Sequence, residues 1–136
     1  MVKENQLSDP SIITEEMCRS YILERGKGWL CFDGDELAGF SIVDLTDNEL
    51  WALFVRPEQE GKTHGTTLHN LSIEWYFGVN PKPITLSTER GTRAESFYHH
   101  HGWEEIGIKE NGEVIMKMTK EKWGHRLFRT EESSNQ

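Results

Sequence analysis

Residues 49–65, Glu-Leu-Trp-Ala-Leu-Phe-Val-Arg-Pro-Glu-Gln-Glu-Gly-Lys-Thr-His-Gly, read as a strand ending at Arg56-Pro57, a glycine-bearing polar loop and the opening of a helix. Such a loop exposes several backbone N–H groups at the positive end of a helix dipole, an arrangement suited to a phosphate or diphosphate. Lys62 and His64 can add side-chain charge or donors there. The same pattern also fits a plain turn. It is not a nucleoside-triphosphate loop, since no Gly-Lys-[Ser/Thr] follows a glycine at the required spacing. Nor is it a dinucleotide fingerprint, which takes three spaced glycines in a parallel unit. His99, His100 and His101 are consecutive; on a helix they point about 100° apart and cannot hold one metal ion together. They read as surface histidines or partial lining of an acceptor site, and no metal is expected. Cys18 and Cys31 allow at most one disulfide and make no CxxC pair.

The elements that must position these residues follow from spacing and punctuation. Residues 1–10 are polar and read as loose. Ser11 or Thr14 can cap a helix through about Glu24, with Ile13, Met17 and Tyr21 at helical spacing and Gly26 and Gly28 ending it. Strands are expected over Trp29–Phe32 and Glu36–Asp44 around an Asp33-Gly34-Asp35 turn, the strongest short hairpin signal in the chain. Thr46-Asp47-Asn48 makes another turn, and Glu49–Val55 is a third strand. A helix from about Gly65 to Phe77 carries Leu68, Leu71 and Trp75 on one face, with Gly78 as its stop. Ile84–Thr88 is a short strand, Thr92–His101 a helix, and Trp103–Lys109 and Val114–Thr119 close the chain as strands around an Asn111-Gly112 turn. The tail from about Glu121 reads as frayed.

A chain of 136 residues predicts one domain, 1–136, of the α/β class, large enough to bury its own core. The N-terminus lacks the apolar stretch of a signal peptide, and no apolar run approaches a membrane span. A cytoplasmic, reduced protein with no membrane association is the expectation. Residues 1–50 hold four basic and eleven acidic residues, a net of −7, whereas residues 51–136 carry a net of −1. This excludes the basic footprint of a nucleic-acid binder. It favours cationic partners such as amines, although an acidic face also serves solubility alone.

The segment VRPEQEGKTHGTTL resembles the acyl-CoA-binding motif of the GNAT N-acetyltransferases, a strand ending Val-x-Pro followed by Gln/Arg-x-x-Gly-x-Gly/Ala. Downstream, Ala94-Glu-Ser-Phe-Tyr-His-His-His-Gly-Trp103 resembles that family's Ala-x-x-Phe-Tyr-x-x-x-Gly-Phe/Trp helix. Trp29–Asp44, with Gly39-Phe40, is similar to its central hairpin. The resemblance covers about residues 28–119. It implies a mixed, mostly antiparallel twisted sheet flanked by helices, with a shortened N-terminal part that lacks the first strand and one helix. It implies transfer of an acetyl group from acetyl-CoA to a primary amine, on a small molecule or a peptide, by direct attack. The other reading is a degenerate domain that binds CoA, or serves as an interaction module, without turnover. The missing N-terminal elements leave room for a homodimer.

The resemblance also assigns roles. Leu53, Phe54 and Val55 would pair their backbone with the pantetheine arm, and Gly61, Lys62, Thr63, His64, Gly65 and Thr66 would wrap the diphosphate. Tyr98 stands in the general-acid position, where a phenol can protonate a departing thiolate. Glu49, on a strand face with Trp51, Leu53 and Val55 if alternation is strict, is one candidate base, and Glu89 is the other. Each could equally be a solvated strand-edge glutamate. Glu60 and Thr63 depart from the motif, and a threonine costs freedom if its position needs φ > 0. Gly91 replaces an Asn that contacts the cofactor in many members. Trp29 and Trp51 are assigned to the core, with the option that one lines the acceptor groove.

Overall fold

Backbone pairing in the first half follows the hairpin signals. The computed structural model describes residues 18–59 and 63–124, which fall into two compact units, one up to Val79 and one from Asn80. In the first, β1 (Cys18–Ile22), β2 (Gly26–Asp33), β3 (Glu36–Asp44) and β4 (Glu49–Val55) pair in chain order, each antiparallel to the last. Asp33 pairs with Glu36 across Gly34-Asp35, and Gly34 takes φ 68°, as a two-residue hairpin loop requires. Between β3 and β4 the Asp44 carboxylate accepts the Thr46 N–H at 2.8 Å, so the side chain itself makes the turn.

Residues 18–24 are not the end of a helix. Cys18–Ile22 pair with Lys27–Cys31, so a strand precedes the central hairpin where none was expected. The part of that helix before Cys18 lies outside the described residues. Gly26 and Gly28 belong to β2 and do not cap anything. A Cβ on Gly26 would stand 1.9 Å from the Val43 carbonyl oxygen, so glycine is required by a neighbouring backbone. Pairing with β2 overrides a weak helical spacing.

Helix α1 (His64–Val79) lies on one face of this ladder. Leu68 reaches the spot where Gly39 lacks a side chain, and the Ser72 and Ser41 hydroxyls meet at 2.7 Å. Trp75 meets Trp29 edge-on at 5.6 Å, and Trp29 is core as expected. The buried positions are His64, Leu68, His69, Ser72, Ile73, Tyr76 and Phe77; Leu71 and Trp75 are only half-buried. An apolar stripe therefore misjudges part of the inner face: Leu68 packs over Gly39 as an apolar stripe predicts, but a serine meets Ser41 and two histidines are buried beside them. The helix also runs through Gly78 to Val79.

In the second unit β5 (Ile84–Thr88) pairs with β7 (Val114–Met118), and β7 with β6 (Glu104–Ile108), again antiparallel. Ile84, Leu86, Val114, Met116 and Met118 are its buried strand residues. Helix α2 (Arg93–His100) is capped by Thr92, whose hydroxyl oxygen accepts the Glu95 N–H. Residues 120–124 make a further helical turn that buries Trp123, so order extends past the expected fraying point. The whole is an α/β fold of mostly antiparallel strands. Among the described residues no helix is long and apolar enough to cross a membrane.

Candidate active site

Strand β4 does not alternate strictly. Its pairing with β3 steps from Ile42–Ala52 to Val43–Leu50, which leaves Trp51 as an extra residue and makes a β-bulge. Leu50, Leu53 and Val55 thus stand opposite Val43, Ser41 and Gly39 on the face that α1 covers. Glu49, Ala52 and Phe54 stand opposite Asp44, Ile42 and Phe40 on the other. The expectation that Glu49 shares a face with Leu53 and Val55 is therefore corrected: one inserted residue reverses the parity of everything beyond it. Trp51 is 64% exposed, not core. Phe54 stacks at a tilt on Phe40, 5.6 Å between centroids.

Beyond Val55 the chain turns through a short 3-10 segment, Pro57–Gln59, and residues 60–62, hence Gly61 and Lys62, lie outside the described residues. Thr63 takes φ 68°, so the position does call for the left-handed region. The α1 ladder opens with the Thr67 N–H donating to the Thr63 carbonyl at 3.0 Å. The N–H groups of Gly65 and Thr66 consequently have no acceptor inside the helix. No acidic residue occupies the first turn of α1, which leaves its positive end unopposed there. That chemistry fits an anionic diphosphate. The His64 ring does not contribute to it: its side chain is wholly enclosed. Nε2 meets Gln59 Oε1 at 3.2 Å, and Nδ1 faces Cys31 Sγ at 3.8 Å. Only its backbone remains available for the role the motif gives it. Cys31 is itself fully buried.

In the second unit Tyr98 lies on α2, 6% exposed, with its ring edge-on to Trp103 at 5.8 Å. Burial pushes its phenol above the usual tyrosine range. Glu89 is exposed at the end of β5, and its carbonyl accepts the Thr92 hydroxyl at 2.6 Å. It flanks the N-terminal end of α2 whereas Tyr98 sits in its last turn, so these two candidates are not brought together by the helix. Gly91 has φ 85° and donates its N–H to Glu95 at 2.8 Å. That bond first, then His99 and Arg90, holds the Glu95 carboxyl below the ordinary carboxylate range. His101 is buried against the Phe97 ring at 4.2 Å; His99 and His100 are exposed. The expectation of three surface histidines is corrected at this one.

A feature missed by sequence reasoning lies beside the bulge. Arg25, in the β1–β2 turn, pairs with Asp44 at 2.8 Å and Asp47 at 3.0 Å. A Glu49 carboxylate oxygen lies within 4.8 Å of both acids' carboxylates. The only signal in the sequence is the density of acids over 44–49, which by itself reads as a solvated turn.

A model of the acetyltransferase (GNAT) family matches residues 3–103. Among solved structures, the PaiA N-acetyltransferase of Thermoplasma acidophilum, in complex with coenzyme A, is 23% identical with a TM-score of 0.61; the match covers 68% of this chain and 59% of that one. A GCN5-related N-acetyltransferase from Rhodopseudomonas palustris is 16% identical, TM-score 0.62, with 69% and 61% covered. The ribosomal-protein-S18-alanine N-acetyltransferase of Escherichia coli is 17% identical, TM-score 0.61, with 72% and 71% covered. A curated relative, the protein translocase subunit SecA of Pelagibacter ubique (strain HTCC1062), is 24% identical over 148 residues, covering 99% of this chain but 17% of that protein. The chain thus spans less than two thirds of the first of these structures and a small part of the curated relative. The structures share its fold, and the family model spans most of the chain, from before β1 to beyond α2: the chain belongs to the acetyltransferase (GNAT) family.

Proposed function

We propose that the chain moves an acetyl group from acetyl-CoA to a primary amine by direct attack. The observation that carries this reading is the opening of α1: a left-handed residue, a first turn without acids and backbone N–H groups without helical acceptors, in the connection that follows β4 and its Val55-Arg56-Pro57 exit. Bound acetyl-CoA supplies the activated thioester. Gly65 and Thr66 hold the diphosphate through their N–H groups, with Gly61, Lys62 and Thr63 completing the wrap, and the backbone of Leu53–Val55 pairs with the pantetheine arm. The amine nitrogen bonds to the thioester carbon as the carbon–sulfur bond breaks. One ammonium proton passes to Glu49, or to Glu89, before attack; the leaving thiolate takes the Tyr98 proton, and the second proton, shed by the acylated nitrogen, restores the Tyr98 phenol. Neither of the two motif segments contains a cysteine, so a covalent acyl-enzyme is not part of this reading.

A second reading, CoA binding without turnover, is favoured by Thr63, which places a Cβ in a left-handed turn that a phosphate must approach. Calorimetry with acetyl-CoA followed by thiol-release assays across polyamines, aminoglycosides and peptides separates the two. Turnover that is lost in Tyr98→Phe supports the enzyme. Binding with no turnover on any acceptor overturns it in favour of the module, and preference for neutral or acidic acceptors overturns the amine.

A further inference from the structure

The bulge in β4 turns Trp51 outward into a groove of about 380 Å³, lined also by Leu23, Glu24, Arg25, Ile42 and Asp44. That volume falls in the ~300–1,000 Å³ range of small-molecule sites. Its floor is apolar, and Trp51 and Leu23 are both exposed, so a bound apolar group would remove that surface from water. Its rim is acidic. Glu24 and Asp44 line it; the Arg25 guanidinium is bound to Asp44 and Asp47, and a Glu49 carboxylate oxygen lies within 4.8 Å of the carboxylates of those two. The next cation along β2, Lys27, is on the opposite face, its Nζ 5.6 Å from the Trp29 ring and 5.4 Å from that of Trp75. Negative charge is therefore in surplus beside an exposed indole, which itself attracts cations through its π-face.

We propose that this groove seats the acceptor, a small primary amine with an aryl or alkyl body. The body lies against Trp51, Ile42 and Leu23, and the ammonium is drawn to the carboxylates about Glu49. The proposal rests on the acyl-transfer reading, and the order of positions along β4 carries it further. With the diphosphate at the head of α1 and the arm running back from Val55 to Leu53, the thioester end points toward the bulge. The residue standing there is Trp51, and the next acid toward the start of the strand is Glu49.

The test uses the full chain and three probes without acetyl-CoA: 2-phenylethylamine, 3-phenylpropanoate with the same body and opposite charge, and ethanolamine with the charge and no body. Calorimetry should show binding of the first alone, weakened on the order of 10-fold in Trp51→Ala. In turnover the same variant should raise the KM for 2-phenylethylamine and leave acetyl-CoA affinity unchanged. Leu23→Ala, in an exposed turn, should weaken binding in the same direction and serves if Trp51→Ala misfolds by circular dichroism. Equal binding of the phenylpropanoate, preference for ethanolamine, or indifference to both substitutions overturns the groove. Trp51-dependent amine binding by a chain that takes no acetyl-CoA upholds the groove's ligand class and overturns the acyl-transfer reading instead.

Discussion

A phenol can act as an acid only while it keeps its proton, and burial extends to higher pH the range over which Tyr98 keeps it. Its folded-state pKa is raised, so the stabilisation linked to it is fully present below the unfolded value near 10 and is lost as pH climbs above that. Urea unfolding followed from pH 8 to pH 11 should show stability falling beyond about pH 10, and the fall should shrink in Tyr98→Phe. In the proposed mechanism that variant also loses thiol release by roughly 10²–10⁴-fold with its affinity for acetyl-CoA intact; a small effect would assign the proton to water. Thr63 is the other residue with a conformational cost. A threonine at φ 68° is strained by about 1 kcal/mol, and Thr63→Gly should raise the thermal midpoint, whereas a lower midpoint would mean that its side chain is held favourably. The demand at position 63 was legible from the motif's glycine spacing. The enclosure of His64 was not, because a polar side chain beside a glycine loop reads as a donor to ligand, and nothing local reveals that Cys31 and Gln59 surround it.

Elements bounded by strong turns were legible to the residue: β3, β4 and β5 begin and end where alternation and turn residues put them. β1 was not, because five residues of mixed character fit a helix until β2 offers them a ladder. The bulge escaped for a different reason. Sequence alternation assumes period 2, and an inserted residue leaves no mark when both neighbours are apolar, as Leu50 and Ala52 are. Its consequence is functional in the proposed scheme, since it moves Trp51 into the groove and sets Glu49 against Asp44. The same part of the sheet yields a prediction about packing. A Cβ on Gly39 would stand 2.3 Å from the Phe54 carbonyl oxygen and 3.1 Å from the Val55 Cα, both backbone atoms that a rotamer change cannot relieve. Gly39→Ala should lower stability by about 1–3 kcal/mol in urea unfolding. It should weaken acetyl-CoA binding as well, because the displaced segment is the one assigned to the pantetheine arm. An unchanged midpoint would show that β4 shifts without cost.

At the scale of the molecule the informative property is charge, and it was fully legible, needing no structure at all. The formal net charge is −8, of which −7 belongs to residues 1–50. The fold gathers several of those acids, Asp44, Asp47 and Glu49, at the turn end of the β3–β4 hairpin, where Arg25 pairs with Asp44 and Asp47. What the sequence could not supply is the place of Glu24 and Arg25 beside them, since these reach the hairpin end only through the β1–β2 turn. A field of this sign draws a cationic acceptor and repels a polyanionic donor. The two substrates should therefore respond oppositely to ionic strength. Raising salt from ~10 mM to ~150 mM shortens the screening length from about 30 Å to about 8 Å. The KM for an amine acceptor should rise over that range as its attraction is screened. Over the same range the apparent affinity for acetyl-CoA should hold or improve, because in the proposed scheme backbone N–H groups grip the diphosphate at contact distance while the long-range repulsion fades. Initial-rate measurements at fixed saturation of each substrate in turn read the two effects separately. If both KM values climbed together, the field would not be steering the acceptor, and the acidic half would be left with solubility as its role.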